Sequence, residues 1–64
     1  MAPPTEVEHQ LLSLLARGGT DESAARQLGM SLRTERRIVA RLMARLEAVS
    51  RFEAGYKASR YGWL

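Results

Sequence analysis

Residues 20–46 read TDESAARQLGMSLRTERRIVARLMARL, and this stretch decides the fold. Thr20 precedes Asp21 and Glu22, the order of a helix cap followed by carboxylates that favour the positive end of the helix dipole. Ala24, Ala25 and Leu28 then give a narrow face of small residues that lets another helix approach closely. Gly29 stops this helix, because glycine accepts the left-handed conformation that closes one. Only Met30 separates it from a second cap, Ser31. From there Val39, Leu42 and Leu46 form an apolar stripe, flanked by Ile38 and Met43. The opposite ridge carries Arg33, Arg37, Arg41 and Arg45 at steps of four, with Arg36 beside it. Two helices predicted at about 20–29 and 32–46, joined by about three residues, have the spacing of a helix-turn-helix, whose second helix is presented away from the body of the domain.

The flanks supply two more helices. Thr5 with Glu8 fits a capping box, and the apolar positions Val7, Leu11, Leu14 and Leu15, widened by Leu12, predict a helix over 6–16 that Gly18 and Gly19 end. Ser50 with Glu53 repeats the box, so a fourth helix is expected over 51–61. Its small residues at 54, 55, 58, 59 and 62 would allow two helix backbones to come close. Residues 1–4 read as linker, and 5–64 as one all-α, four-helix domain.

Composition narrows the function. A chain of 64 residues is at the small end of what folds alone, too small for a deep catalytic cleft. With no cysteine and a single histidine, His9, neither thiolate chemistry nor a metal cage is expected. His9 falls on the outer side of the first helix, and Ser13, Ser23 and Ser59 have no base at a useful spacing, so no enzyme activity and no cofactor are expected. Trp63 and Phe52 are expected in the core or at a dimer contact, since no aromatic lies among the arginines of the third helix. No apolar run approaches a membrane span and the start lacks a secretion-signal pattern, so a cytoplasmic, nucleoid-associated setting is expected. The charge is uneven. Of ten basic residues, nine are arginine, and half of the ten lie between positions 33 and 45. That concentration is the electrostatic footprint of a nucleic-acid-binding face.

The ordered set Thr5-x-x-Glu8, Leu14-Leu15-Ala16-Arg17-Gly18, Ala25-x-x-Leu28-Gly29-Met30-Ser31-x-Arg33-Thr34, Leu46 and Ser50-Arg51-x-Glu53-Ala54 resembles the DNA-binding domain of LuxR-type (GerE-type) transcription regulators. The ending, with Gly62-Trp63-Leu64, is similar to a subgroup found in high-GC actinobacterial regulators. The resemblance implies a four-helix fold in which the third helix reads double-stranded DNA and the fourth forms a homodimer on a two-fold site. It places Arg36, Arg37 and Ala40 in base-contacting slots. Arg33 borders them, able to reach a base edge or, with Thr34 and Arg41, a phosphate. Thr20, Ser31 and Arg45 complete the expected phosphate contacts, and Gly55, Tyr56 and Ser59 the expected dimer seam.

General physics runs the same way. A helix fits the major groove, and an arginine giving two parallel hydrogen bonds to guanine discriminates by roughly 1–3 kcal/mol. Phosphate neutralisation makes such affinity steeply salt-dependent. The amides at the start of the second helix, next to Thr20, suit a phosphate oxygen. Two residues depart from the family pattern: Glu35, where an apolar residue is usual, and Ile38, where histidine is frequent. Glu35 lies four before Val39 on the inward stripe, so its carboxylate should escape to solvent, pair with Arg36 or Arg17, accept a first-turn amide, or face cytosine. Two other functions fit a basic helical domain. One is a protein-interaction module that pairs with a regulator or grips an acidic partner; the other is a domain like region four of sigma factors, working with RNA polymerase.

Overall fold

The computed structural model describes residues 2–64; of the expected linker, Met1 lies outside them. Four helices follow in order, α1 (Glu6–Ala16), α2 (Asp21–Leu28), α3 (Leu32–Leu46) and α4 (Arg51–Arg60), with no strand among the described residues. The all-helical expectation holds, and α1 and α3 have the expected bounds. Three ends move inward. Thr20 and Gly29 flank α2 as caps, with extended and left-handed backbone, and Tyr61 caps α4 instead of belonging to it.

Each start is fixed by a hydroxyl. At α1 the capping box is complete: the Glu8 amide donates to Thr5 Oγ1 at 3.2 Å, and the Thr5 amide donates to Glu8 Oε1 at 2.8 Å. At α4 it is not, because the Glu53 carboxylate reaches one residue further back and accepts from the Val49 amide at 2.8 Å. Each end closes with one pattern of paired amides. After α2 the Met30 amide donates to the Ala25 carbonyl at 2.9 Å and the Gly29 amide to the Arg26 carbonyl at 3.3 Å, a Schellman motif around left-handed Gly29. After α3 the same pair of bonds runs from Ala48 to Met43 and from Glu47 to Ala44, but the left-handed position is Glu47, with φ 52°. A side chain there carries a steric cost that glycine avoids. Glu47→Gly is therefore expected to raise stability by about 0.5–1 kcal/mol, read as a melting temperature a few degrees higher in a thermal melt.

The core joins Leu11 and Leu12 of α1, Ala24 of α2, Ile38, Val39, Leu42 and Leu46 of α3, Ala54 and Ala58 of α4, and Trp63. Leu14, Leu15, Leu28 and Met43 pack half-buried at its edge. Val7, expected on the inward stripe, is 43 % exposed instead. Aromatic side chains divide sharply. Trp63 is 6 % exposed, whereas Phe52, expected in the core or at a dimer contact, is 90 % exposed. Trp63 reaches the core because its amide donates to the Ala58 carbonyl at 2.8 Å, folding the chain back under left-handed Gly62.

Candidate nucleic-acid interface

The turn Gly29–Met30–Ser31 sets α3 against α2 so that the apolar stripe of α3 is covered and its arginine ridge is not. Arg33, Arg37 and Arg41 are exposed, with no carboxylate in salt-bridge range among the described residues, and Ala40 lies exposed between them. These cations have no internal partner to leave before meeting an anion. Arg36 borders them with its side chain 59 % exposed and its Nε 3.7 Å from Asp21 Oδ2, a loose pair.

Arg45 differs. Its Nη1 donates to Glu8 Oε1 at 3.1 Å, its other nitrogen donates to the Ala2 carbonyl, and its guanidinium lies 4.8 Å from the centroid of the Trp63 ring. Continuing the ridge by four residues brings Arg45 over α1 and the chain end, so it clamps the domain while the other three point away.

The hydroxyls around the turn have unequal freedom. The Thr20 oxygen accepts from the Ser23 amide at 3.0 Å, which leaves its own proton to donate outward. Ser31 accepts from the Thr34 amide and gives its proton to Thr34 Oγ1 at 3.0 Å. The hydroxyl proton left over at this corner belongs to Thr34. Thr20, Ser31 and Thr34 thus line the starts of α2 and α3, where amides and helix dipole favour an anion.

Beneath this face is a feature that periodicity only half revealed. Glu35 is on the inward stripe and fully buried, at 0 % exposure, and neither carboxyl oxygen meets a donor among the described residues. Burial rules out escape to solvent and contact with a base, and the lack of a donor rules out a direct arginine pair and a first-turn amide. Its neighbour is another acid, Asp21 at the start of α2, which Arg51 of α4 grips with two bonds of 2.7 and 2.8 Å. Arg51 holds the Asp21 carboxyl below its ordinary value. Burial, and then Asp21, push Glu35 up to about 7. The acid on the inward stripe signalled this site in the sequence, but its neighbours come from two other helices and carry no local signature.

On the far side, α4 buries Ala54 and Ala58 against the core and turns Phe52, Tyr56 and Ser59 outward, with Gly55 half-buried between the faces. Tyr56 is 58 % exposed, and the preceding Val49 is 92 % exposed. Arg60 lies across the Tyr56 ring and donates to its oxygen at 3.1 Å. No helix among the described residues is long and apolar enough to cross a membrane.

No protein-family profile matches the chain, and no solved structure does. Among curated proteins it is 47 % identical over 49 residues to a "Bialaphos biosynthetic pathway regulatory protein" of Streptomyces hygroscopicus, an alignment covering 77 % of this chain and 19 % of that protein. The chain thus spans about a fifth of the relative it matches, and across that span it is similar to part of a regulatory protein.

Proposed function

We propose that this chain is the DNA-binding output module of a transcription regulator of LuxR type, with α3 in the major groove of duplex DNA. The observation that carries the reading is the unpartnered ridge Arg33, Arg37 and Arg41, held outward by a helix-turn-helix. In this reading Arg33, Arg36, Arg37 and Ala40 face base edges, while Thr20, Ser31, Thr34 and Arg41 sit against phosphates. The similarity to part of a Streptomyces regulatory protein supports a regulatory role. Selection of bound sequences from a random duplex pool tests it. An enriched inverted repeat is expected, and a pool that stays random through successive rounds would overturn it.

The outward face of α4 supports pairing of two copies. Val49, Phe52 and Tyr56 are large apolar or aromatic side chains left in solvent, and Gly55 and Ser59 leave room for a second helix beside them. A two-fold pair through this face would set two recognition helices on half-sites related by the same symmetry. Ser59→Glu puts a charge into that seam without touching the core. It is expected to give a folded monomer by sedimentation that binds an inverted-repeat duplex poorly, and a variant still sedimenting as a dimer would exclude the seam. The exposed α4 face also favours a second reading, a module that captures another regulator's helix. Failure of the duplex selection alongside a stable heterodimer would support it.

A further inference from the structure

The contacts proposed with DNA leave Glu35 without a task. Three helices converge on its carboxyl: α2 brings Asp21, α4 brings Arg51, and α3 itself brings Arg36, while the face of α1 in the core is apolar Leu11 and Leu12. An ionised carboxylate buried with no donor is costly. The neutral acid has one O–H to give, and Asp21 beside it is an acceptor. Carrying a proton, Glu35 completes a chain in which Arg51 donates twice to Asp21 and Glu35 donates to it from α3. Without that proton, two adjacent carboxylates share the single committed guanidinium of Arg51. The nearest guanidinium not already doubly bonded is Arg36, next to Glu35 in the chain and 3.7 Å from Asp21.

We propose that Glu35 is a proton-operated positioning residue: with its proton it leaves Arg36 free to reach DNA, and without it it draws Arg36 inward onto the two carboxylates, so that duplex affinity falls as pH rises through neutrality. The electrostatics place the transition in that range, since desolvation and Asp21 together outweigh the opposing pull of Arg51 and Arg36 and hold the group at about 7. Folding follows the same proton. The native state binds it up to about pH 7 and the unfolded chain only to its ordinary 4.5, so stability declines as pH rises between those values and levels off above them.

The effect on affinity rests on the DNA-binding reading, and the experiment separates the two. Anisotropy with a labelled duplex of selected sequence at pH 6 and pH 8, at constant salt, is compared for the unsubstituted chain, Glu35→Gln, Glu35→Val and Arg36→Ala. The arginine Nε–H and glutamate carboxyl NMR signals are followed over the same range. The unsubstituted chain should bind on the order of three- to tenfold more weakly at pH 8, the loss expected for one arginine contact. Both Glu35 variants should keep the tighter affinity at both values, and Arg36→Ala should bind weakly and equally at both. A drop that persists in Glu35→Gln and Glu35→Val, or its absence from the unsubstituted chain, overturns the proposal. Should no duplex bind at either pH, the DNA reading fails. The switch is then judged by the Arg36 Nε–H signal, which supports it by moving in step with the Glu35 carboxyl and overturns it by staying still.

Discussion

Trp63→Ala should remove about 3–4 kcal/mol and leave much of the protein unfolded at 37 °C. The ring is 6 % exposed, lies against the alanines of α4, and carries the Arg45 guanidinium at 4.8 Å over its face. Arg45 in turn holds the Glu8 carboxylate that completes the cap of α1, so the Trp63 side chain ties the turn after α4 to the first helix. Truncating a buried aromatic costs roughly 3–5 kcal/mol, and a domain of this size holds only a few kcal/mol in all. Each kcal/mol moves the midpoint of such a domain by about 4–8 °C, so a fall of at least about 12 °C is expected by circular dichroism. A midpoint within a few degrees of the unsubstituted chain would mean that Trp63 is not part of the core. Arg45→Ala should show the milder form of the same defect: loss of stability more than loss of any ligand.

The second large effect concerns binding alone. Replacing Arg33, Arg37 and Arg41 together by alanine should leave the melt nearly unchanged, because all three are exposed and have no internal carboxylate partner among the described residues. Duplex affinity at low salt should nevertheless fall by roughly a hundredfold or more, and the slope of log affinity against log salt should flatten by about 1 for the phosphate contact of Arg41, and by up to about 3 where Arg33 and Arg37 also displace counterions. Each phosphate neutralised contributes close to 0.9 to that slope, so the number lost reports how many of the three arginines displaced counterions. Arg37→Ala alone should weaken binding to a selected sequence by about 1–3 kcal/mol while changing mixed-sequence binding much less. Equal losses on both duplexes would indicate charge without base reading, and an unchanged salt slope in the triple variant would remove α3 from the interface.

Those two expectations show what local sequence could and could not reveal. Helix bounds were legible because they are written in local chemistry, a hydroxyl at each start and, at three of the four ends, a glycine. The exception, Glu47 in a left-handed position, shows α3 ending where packing requires it, without the usual residue. The inward stripe of α3 was legible because its period is that of the helix, and it put position 35 on the inward side, although the carboxyl met none of the partners expected for it and stayed buried. What covers that carboxyl was not legible, because Asp21 and Arg51 are separated from each other by 30 positions and approach only when α2 and α4 pack. Arg45 is the same case: four residues beyond Arg41 it looks like one more rung of a solvated ridge, and only the returning chain end turns it into a clamp. Of the two places expected for Phe52, the core is excluded, because it falls on the face of α4 that turns away from the other helices, and Val7 lies at the rim of α1 with 43 % of its surface exposed.

The central claim is that the arginine face of α3, standing clear of the domain's own acids, is the surface that meets duplex DNA. Backbone amide NMR of the intact chain during titration with duplex addresses it residue by residue. The account predicts salt-sensitive shifts concentrated at residues 31–41 and at the start of α2, with α1 and the buried residues of α4 quiet. Shifts confined to α4, or none at any salt concentration, would contradict it.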